Sequence, residues 1–221
     1  MTHLQTPYIP PCNDGLDLIF RDACLIVVNK PAGLLAVPGL GADKQDCLAS
    51  RVRAEFSDAL VVHRLDMATS GLLLFARGTE MQRRLSQLFR EREIQKRYVA
   101  VVAGKLEPLS GEIDLPLIGD WPNRPRQKVD HLSGKRSLTR YRLLAHDAGA
   151  DASRVELEPI TGRTHQLRVH MAAIGHPIVG DALYGGEAGS GAGRLLLHAS
   201  PLSFAHPLNA EPLRLASDVP F

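Results

Sequence analysis

Apolar positions in this chain recur with two periods. Every fourth residue is apolar from Leu48 through Val52 to Phe56, which predicts a short helix. Met81, Leu85, Leu88 and Phe89 gather on one face of a second helix while its arginines point elsewhere, and Thr79 and Gln82 at its start have the spacing of a capping box. A third helix is predicted where Leu167, Met171 and Ile174 fall at i, i+4 and i+7, stopped by Gly175 and Pro177. Period two marks strands. Residues 138–144 set Leu138, Arg140 and Arg142 against Thr139, Tyr141 and Leu143, and residues 155–160 alternate again. Apolar runs at 24–29 and 98–103 read as further strands, the first ended by the turn Lys30-Pro31-Ala32-Gly33.

Strands therefore dominate, with few intervening helices. That pattern predicts an α+β (mixed) protein rather than alternating βαβ units. Residues 1–17 carry Pro7, Pro10, Pro11 and Gly15 and no Lys or Arg, and are expected to form an extended arm. Residues 18–221 are expected to be one domain. The segment from Gly185 to Gly193 holds five glycines and reads as a loop; without a following Lys-Ser/Thr it is no phosphate loop.

A chain of 221 residues with 44% hydrophobic and 23% charged residues can bury a sizeable core. Its 26 basic and 24 acidic residues give only +2, so distribution says more than the sum. Arg83, Arg84, Arg90, Arg92, Lys96 and Arg97 face only Glu91 and Glu93 in their stretch, and seven cations between Trp121 and Arg142 face Asp130 alone. Such excesses attract a phosphate backbone, although the first also suits a solvated helix face. Cys12, Cys24 and Cys47 fit neither a disulfide framework nor a zinc knuckle and suit a reducing cytoplasm. No apolar stretch approaches the length of a membrane span, and the first residues lack the features of a signal peptide. His165 and His170 stand about 140° apart on a helix, and His176, His198 and His206 have no Cys near them in sequence, so no metal site is expected.

The candidate chemistry lies in residues 61–71, where Asp66 follows Arg64 and precedes Thr69-Ser70-Gly71 and the apolar run 72–76. Taken alone, Asp66 could equally be a nucleophile or the cap of an Asx turn. Three further motifs stand in order around it: Asn29-Lys30-Pro31-Ala32-Gly33, Lys96-Arg97-Tyr98-Val99-Ala100, and Thr161-Gly162-Arg163-Thr164-His165-Gln166-Leu167-Arg168. Together the four resemble the RluA family of RNA pseudouridine synthases, and residues 115–128, with Trp121, Arg124, Arg126 and Lys128, resemble its RluA subgroup.

The resemblance implies a pseudouridine synthase fold: a central, mostly antiparallel sheet with flanking helices and loops and a cleft across it, without the auxiliary S4-type domain that many relatives carry. It implies isomerisation of uridine in structured RNA, both large-subunit ribosomal RNA and the tRNA anticodon stem-loop, with no cofactor and by a cytoplasmic monomer. Asp66 matches the family's nucleophile, an ionised carboxylate that attacks carbon. Arg168 matches the basic residue that orients it, with Arg163 the competing candidate. Tyr98 matches the ring that stacks on the target uracil, and Arg64 the arginine that fills the space of the flipped base. Thr69 and Leu167 are expected beside the substrate, and Arg124, Arg126, Lys128 and Arg163 on RNA, unless Trp121 merely anchors its loop in the core. Two rivals remain: an RNA-binding or RNA-folding protein that uses the same cleft without catalysis, and a glycosidase. The second needs another carboxylate about 5–10 Å away, for which only Asp58 and Glu80 lie close in sequence.

Overall fold

The computed structural model describes residues 7–187 and 192–221, so part of the 185–193 loop and residues 1–6 of the arm lie outside the described residues. The elements follow in the order β1 (Leu18–Arg21), β2 (Leu25–Lys30), α1 (Leu48–Glu55), β3 (Ala59–Val61), β4 (Ser70–Arg77), α2 (Gly78–Glu91), β5 (Gln95–Ala103), β6 (Ser110–Asp114), β7 (Leu117–Gly119), β8 (Gln127–Val129), β9 (Leu138–Asp147), β10 (Ala152–Pro159), α3 (Gln166–Ala173), β11 (Leu197–Ala205) and β12 (Pro212–Leu215). One ten-stranded sheet runs β1-β2-β4-β11-β5-β10-β9-β6, with β3 joined to β4 and β12 to β11. Its pairings are antiparallel except that of β4 with β11. β7 and β8 form a separate hairpin.

The apolar run of β4 reflects burial on both faces. Leu73 and Phe75 pack with Ile26, Val28 and the buried side of α1, whereas Leu72, Leu74 and Ala76 pack with Leu25, Val27, Leu85 of α2 and Phe204. A third cluster joins Val102 and Ala100 of β5 and Leu157 of β10 to Leu167 and Met171 of α3. α3 and α2 are thus held against the sheet at positions that flank the β4–β11–β5 region. Gly71 serves the parallel pairing: at φ 115° it approaches Ala199 so closely that a Cβ would lie 2.4 Å from that residue's backbone.

Two local expectations need correction. The capping box at Thr79 and Gln82 does not form, because α2 begins earlier, with Arg77 as its N-cap and no side-chain cap. Gln82 instead donates to the Val61 carbonyl, tying the helix to β3. Trp121 is no core anchor; it is 68% exposed. In the arm, the Tyr8 hydroxyl donates to the Asp46 carbonyl and accepts the Leu35 N–H, and Arg51 donates to the Pro11 carbonyl. Among the described residues no helix is long and apolar enough to cross a membrane.

Candidate active site

Asp66 sits in the irregular segment between β3 and β4, and the geometry decides between its two sequence readings. The turn is closed by backbone, the Thr69 N–H donating to the Asp66 carbonyl. Among the described residues no backbone N–H donates to the carboxylate, which lines a cavity of about 670 Å³. Behind the turn stands Lys30, fully buried, whose ammonium donates to the carbonyls of Pro31, Leu34 and Met67. Burial pulls its amine down to about 7, against the opposing pull of Asp66. Lys30 thereby fixes the backbone next to Asp66 through Met67.

Arg168, on α3, reaches the same place from the opposite wall. Its Nη1 lies 3.6 Å from Asp66 Oδ2, but its fork is committed elsewhere: Nε and Nη2 each donate to Asp181 at 2.7 Å. Asp181 also accepts the N–H groups of Leu183 and Tyr184. Burial pushes the Asp181 carboxyl up, yet the Arg168 guanidinium and these bonds outweigh it and hold the group below the ordinary carboxylate range. Arg168 therefore presents one free edge to Asp66 and is locked by Asp181 on the other. Asp181 escaped the sequence reading. The only local signal was the preceding Gly180, at φ 78°, where a Cβ would collide with the Arg194 carbonyl.

His165, the N-cap of α3, was weighed in sequence only as a metal ligand. It adopts the left-handed conformation, φ 54°, which a non-glycine residue holds at a cost of order 1–3 kcal/mol. Its Nε2 lies 3.9 Å from Asp66 Oδ2 and its Nδ1 2.7 Å from the Tyr184 hydroxyl. Burial lowers its pKa from the ordinary value, which favours the neutral ring. Gln166 braces the turn before α3: its carbonyl oxygen accepts the Thr161 hydroxyl and the Arg163 N–H, and its amide donates to the Leu138 carbonyl.

Tyr98 projects from β5 into the cavity, and Arg64, Thr69, Leu167 and Arg163 line it as well. Burial and then the charge of Asp66 raise the Tyr98 phenol well above its ordinary value, so it stays protonated. His63, two residues before Leu65, is a structural group: its Nε2 accepts the Leu74 N–H, its ring packs 4.4 Å from Phe89, and burial takes it down to about 3. Residues from three of the four distant motifs thus line one cavity, and the fourth supplies Lys30 behind the Asp66 turn.

The two basic stretches divide in the fold. Arg140 pairs with Glu112, Arg142 and Arg97 with Glu156, and Arg136 with Asp114; Arg83 and Arg84 both pair with Glu80. These cations are neutralised on the sheet and helix surface, so the raw excess in sequence overstated the field. Arg90, Arg92 and Lys96 instead line the cavity rim. Arg124, Arg126 and Lys128 do not line the cavity; they belong to the 120–128 loop and β8. Arg124 stacks 3.3 Å from the Trp121 ring, Lys128 lies 3.8 Å from Asp130, and Arg126 donates to the Leu183 carbonyl.

For a glycosidase, the two carboxylates close in sequence are misplaced: Glu80 is bound by arginines and Asp58 by Arg77, and neither lines the cavity. The fold also brings Cys24 within reach of His206 and Asp22, which sequence distance concealed. Hydrogen bonds engage both ring nitrogens there, Nε2 to Asp22 and Nδ1 from the Leu208 and Asn209 N–H groups.

Comparisons with known proteins agree with this geometry. A family model described as RNA pseudouridylate synthase matches residues 24–173. The chain is 48% identical over 205 residues to the dual-specificity RNA pseudouridine synthase RluA of Haemophilus influenzae, covering 92% of this chain and 93% of that one. It is 49% identical over 201 residues to the protein of the same name from Escherichia coli, covering 90% and 91%. Among solved structures it is similar to human RNA pseudouridylate synthase domain containing 1, with a TM-score of 0.80 and 31% identity over 96% of this chain and 87% of that one.

Proposed function

As the chain belongs to the RNA pseudouridylate synthase family, we propose that it converts specific uridines to pseudouridine in two substrates, large-subunit ribosomal RNA and the tRNA anticodon stem-loop. The observation that carries the mechanism is the meeting of Asp66, Arg168 and Tyr98 in one cavity, of a volume that suits a bound small molecule or everted nucleoside. The dual substrate range is carried by the RluA proteins that match over nine-tenths of the chain.

The uridine leaves the stack at a cost of a few kcal/mol and enters the cavity, with Arg64 occupying the vacated space from the rim. Tyr98 offers its ring to the uracil, and its hydroxyl stays protonated beside the Asp66 carboxylate. The Asp66 carboxylate, turned by the free edge of Arg168, attacks the nucleoside as the N-glycosidic bond breaks and leaves its electron pair on uracil N1; the detached uracil rotates, its C5 joins C1′ of the ribose as the bond to Asp66 breaks, and the C5 proton passes to solvent while N1 takes one up. No electrons are gained or lost overall, and no metal or nucleotide cofactor is required. The enzyme is taken to act as a monomer in a reducing cytoplasm, in keeping with its three unpaired cysteines.

The test is tritium release from RNA labelled at uracil C5. Wild type should release tritium from both an anticodon stem-loop and a ribosomal RNA fragment, and Asp66→Asn should release none while binding both within about threefold of wild type, as loss of one carboxylate leaves the cationic rim intact. Retained turnover in Asp66→Asn refutes the mechanism, and release from one RNA alone refutes dual use.

A further inference from the structure

The 120–128 loop is joined to the catalytic carboxylate by a continuous chain of polar contacts. The Gln127 N–H donates to the Tyr184 hydroxyl at 2.8 Å, the hydroxyl lies 2.7 Å from His165 Nδ1, and His165 Nε2 lies 3.9 Å from Asp66. Arg126, in the same loop, donates to the Leu183 carbonyl and places its guanidinium 5.7 Å from the Tyr184 ring. The other cation on that ring is Arg168, at 5.1 Å. Asp181 fixes the Tyr184 backbone and Arg168 at once. Tyr184 therefore touches the loop, the imidazole and the guanidinium beside Asp66.

The hydrogen-bond inventory assigns the protons. The Gln127 N–H can only donate to the Tyr184 oxygen, so among the described partners Nδ1 is the acceptor left for the hydroxyl proton, and the neutral imidazole then carries its own proton on Nε2, the nitrogen nearer Asp66. A histidine so arranged turns an N–H toward one carboxylate oxygen at 3.9 Å, beyond a direct hydrogen bond but close enough to act electrostatically, and Arg168 lies 3.6 Å from the same oxygen. A shift of the loop would move the Tyr184 hydroxyl, turn the ring, and alter the donor presented to the nucleophile.

We propose that Tyr184 and His165 are positioning residues that couple the 120–128 loop to Asp66, so that RNA gripped by the loop sets the orientation of the nucleophile. This rests on the reading of Asp66 as the reacting group. It explains why a loop outside the cavity, bearing Arg124, Arg126 and Lys128, is docked on the residue next to the site rather than left to hang from its hairpin.

The experiment uses the full chain and an anticodon stem-loop transcript tritiated at uracil C5. Tyr184→Phe keeps the ring and its stacking on Arg168 but removes the hydroxyl. Its single-turnover rate at saturating RNA should fall about tenfold, with the Kd for RNA within about twofold of wild type and an unchanged melting temperature. His165→Gln should give a similar loss, and the double variant should be no slower than the slower single, because both remove one link. Nitrogen-15 NMR of the histidine rings, with His165 assigned by its absence in His165→Gln, should show the Nε2-protonated neutral form in wild type and a shifted Nδ1 signal in Tyr184→Phe. Wild-type rates in Tyr184→Phe, additive losses, or an unshifted Nδ1 would overturn the relay. Absence of tritium release from wild type would instead sink the pseudouridine reading, and the NMR result would still decide whether the hydrogen-bonded chain exists.

Discussion

Replacing Asp181 with Asn separates what the buried ion pair does for the fold from what it does for the chemistry. The Asp181 side chain is fully shielded from solvent and accepts four hydrogen bonds, two from Arg168 at 2.7 Å and those of the Leu183 and Tyr184 N–H groups at 2.9 and 3.1 Å. Asn preserves the shape but turns one acceptor into an NH2 aimed at an N–H donor, and it leaves the buried guanidinium with Asp66 alone, 3.6 Å away. Breaking one side of a buried pair costs about 3–5 kcal/mol. At about 2–4 °C per kcal/mol for a chain of this size, Tm should drop by about 6–20 °C. Turnover should fall as well, since Arg168 loses the clamp that fixes its free edge. The double variant Arg168→Met/Asp181→Leu removes both charges together, and a well-packed apolar substitute is often neutral or stabilising. It should therefore recover part of the lost Tm, the Leu183 and Tyr184 N–H groups having lost their acceptor, while remaining inactive, because no guanidinium is left beside Asp66. Circular dichroism melts and C5 tritium release measure the two effects separately. An Asp181→Asn protein melting within about 2 °C of wild type, a shift worth no more than about 1 kcal/mol, would refute the structural argument. Turnover by the double variant would refute the role given to Arg168.

Three other outcomes follow from the geometry. Tyr98→Ala should lose the stacking surface, worth about 1–3 kcal/mol per base, and so lower single-turnover kcat/KM by roughly 5- to 150-fold, whereas Tyr98→Phe keeps the platform; equal losses in both would transfer the role from ring to hydroxyl. Burial holds His63 at about 3 and His198 at about 4, so below their ordinary value near 6.5 the unfolded chain binds protons the folded chain refuses; Tm should fall as pH drops from 6.5 toward 4, with a shallower slope in His63→Gln, and a flat Tm across that window would contradict both environments. Arg140→Ala and Arg142→Ala should leave RNA affinity within about twofold of wild type because Glu112 and Glu156 already neutralise them, while Arg124→Ala should weaken binding and reduce the salt slope by about 1; the reverse ranking in filter binding at several salt concentrations would displace the RNA path from the loop to the sheet.

Periodicity and motif order carried the reading a long way, because both are properties of neighbours along the chain. The alternation at 138–144 put Thr139 and Tyr141 on one face and Arg140 and Arg142 on the other, since a pleated strand must turn successive side chains to opposite faces, and the structure buries the first pair and exposes the second. Leu48 and Val52 faced inward for the equivalent helical reason. The motif around Asp66 pointed to a carboxylate, but whether it capped a turn or faced a cavity depended on which donors came near it, and those lie on other elements. The charge of residues 121–142 could not be apportioned for the same reason: Glu112 and Glu156, which neutralise Arg140 and Arg142, are adjacent only through strand pairing.

What the sequence by itself determined was the set of local periods, the family likeness and the order of Asp66, Tyr98 and Arg168. What only the tertiary structure decided was the partnership among side chains: that Arg168 is clamped by Asp181 and only edged by Asp66, that His165 joins Tyr184 to the carboxylate, and that Lys30 stands buried behind the turn. Hydrogen bonds and ion pairs act over about 3 Å of space, and spacing along a chain does not encode those distances until the fold has brought the segment before β4, β5 and α3 around one cavity.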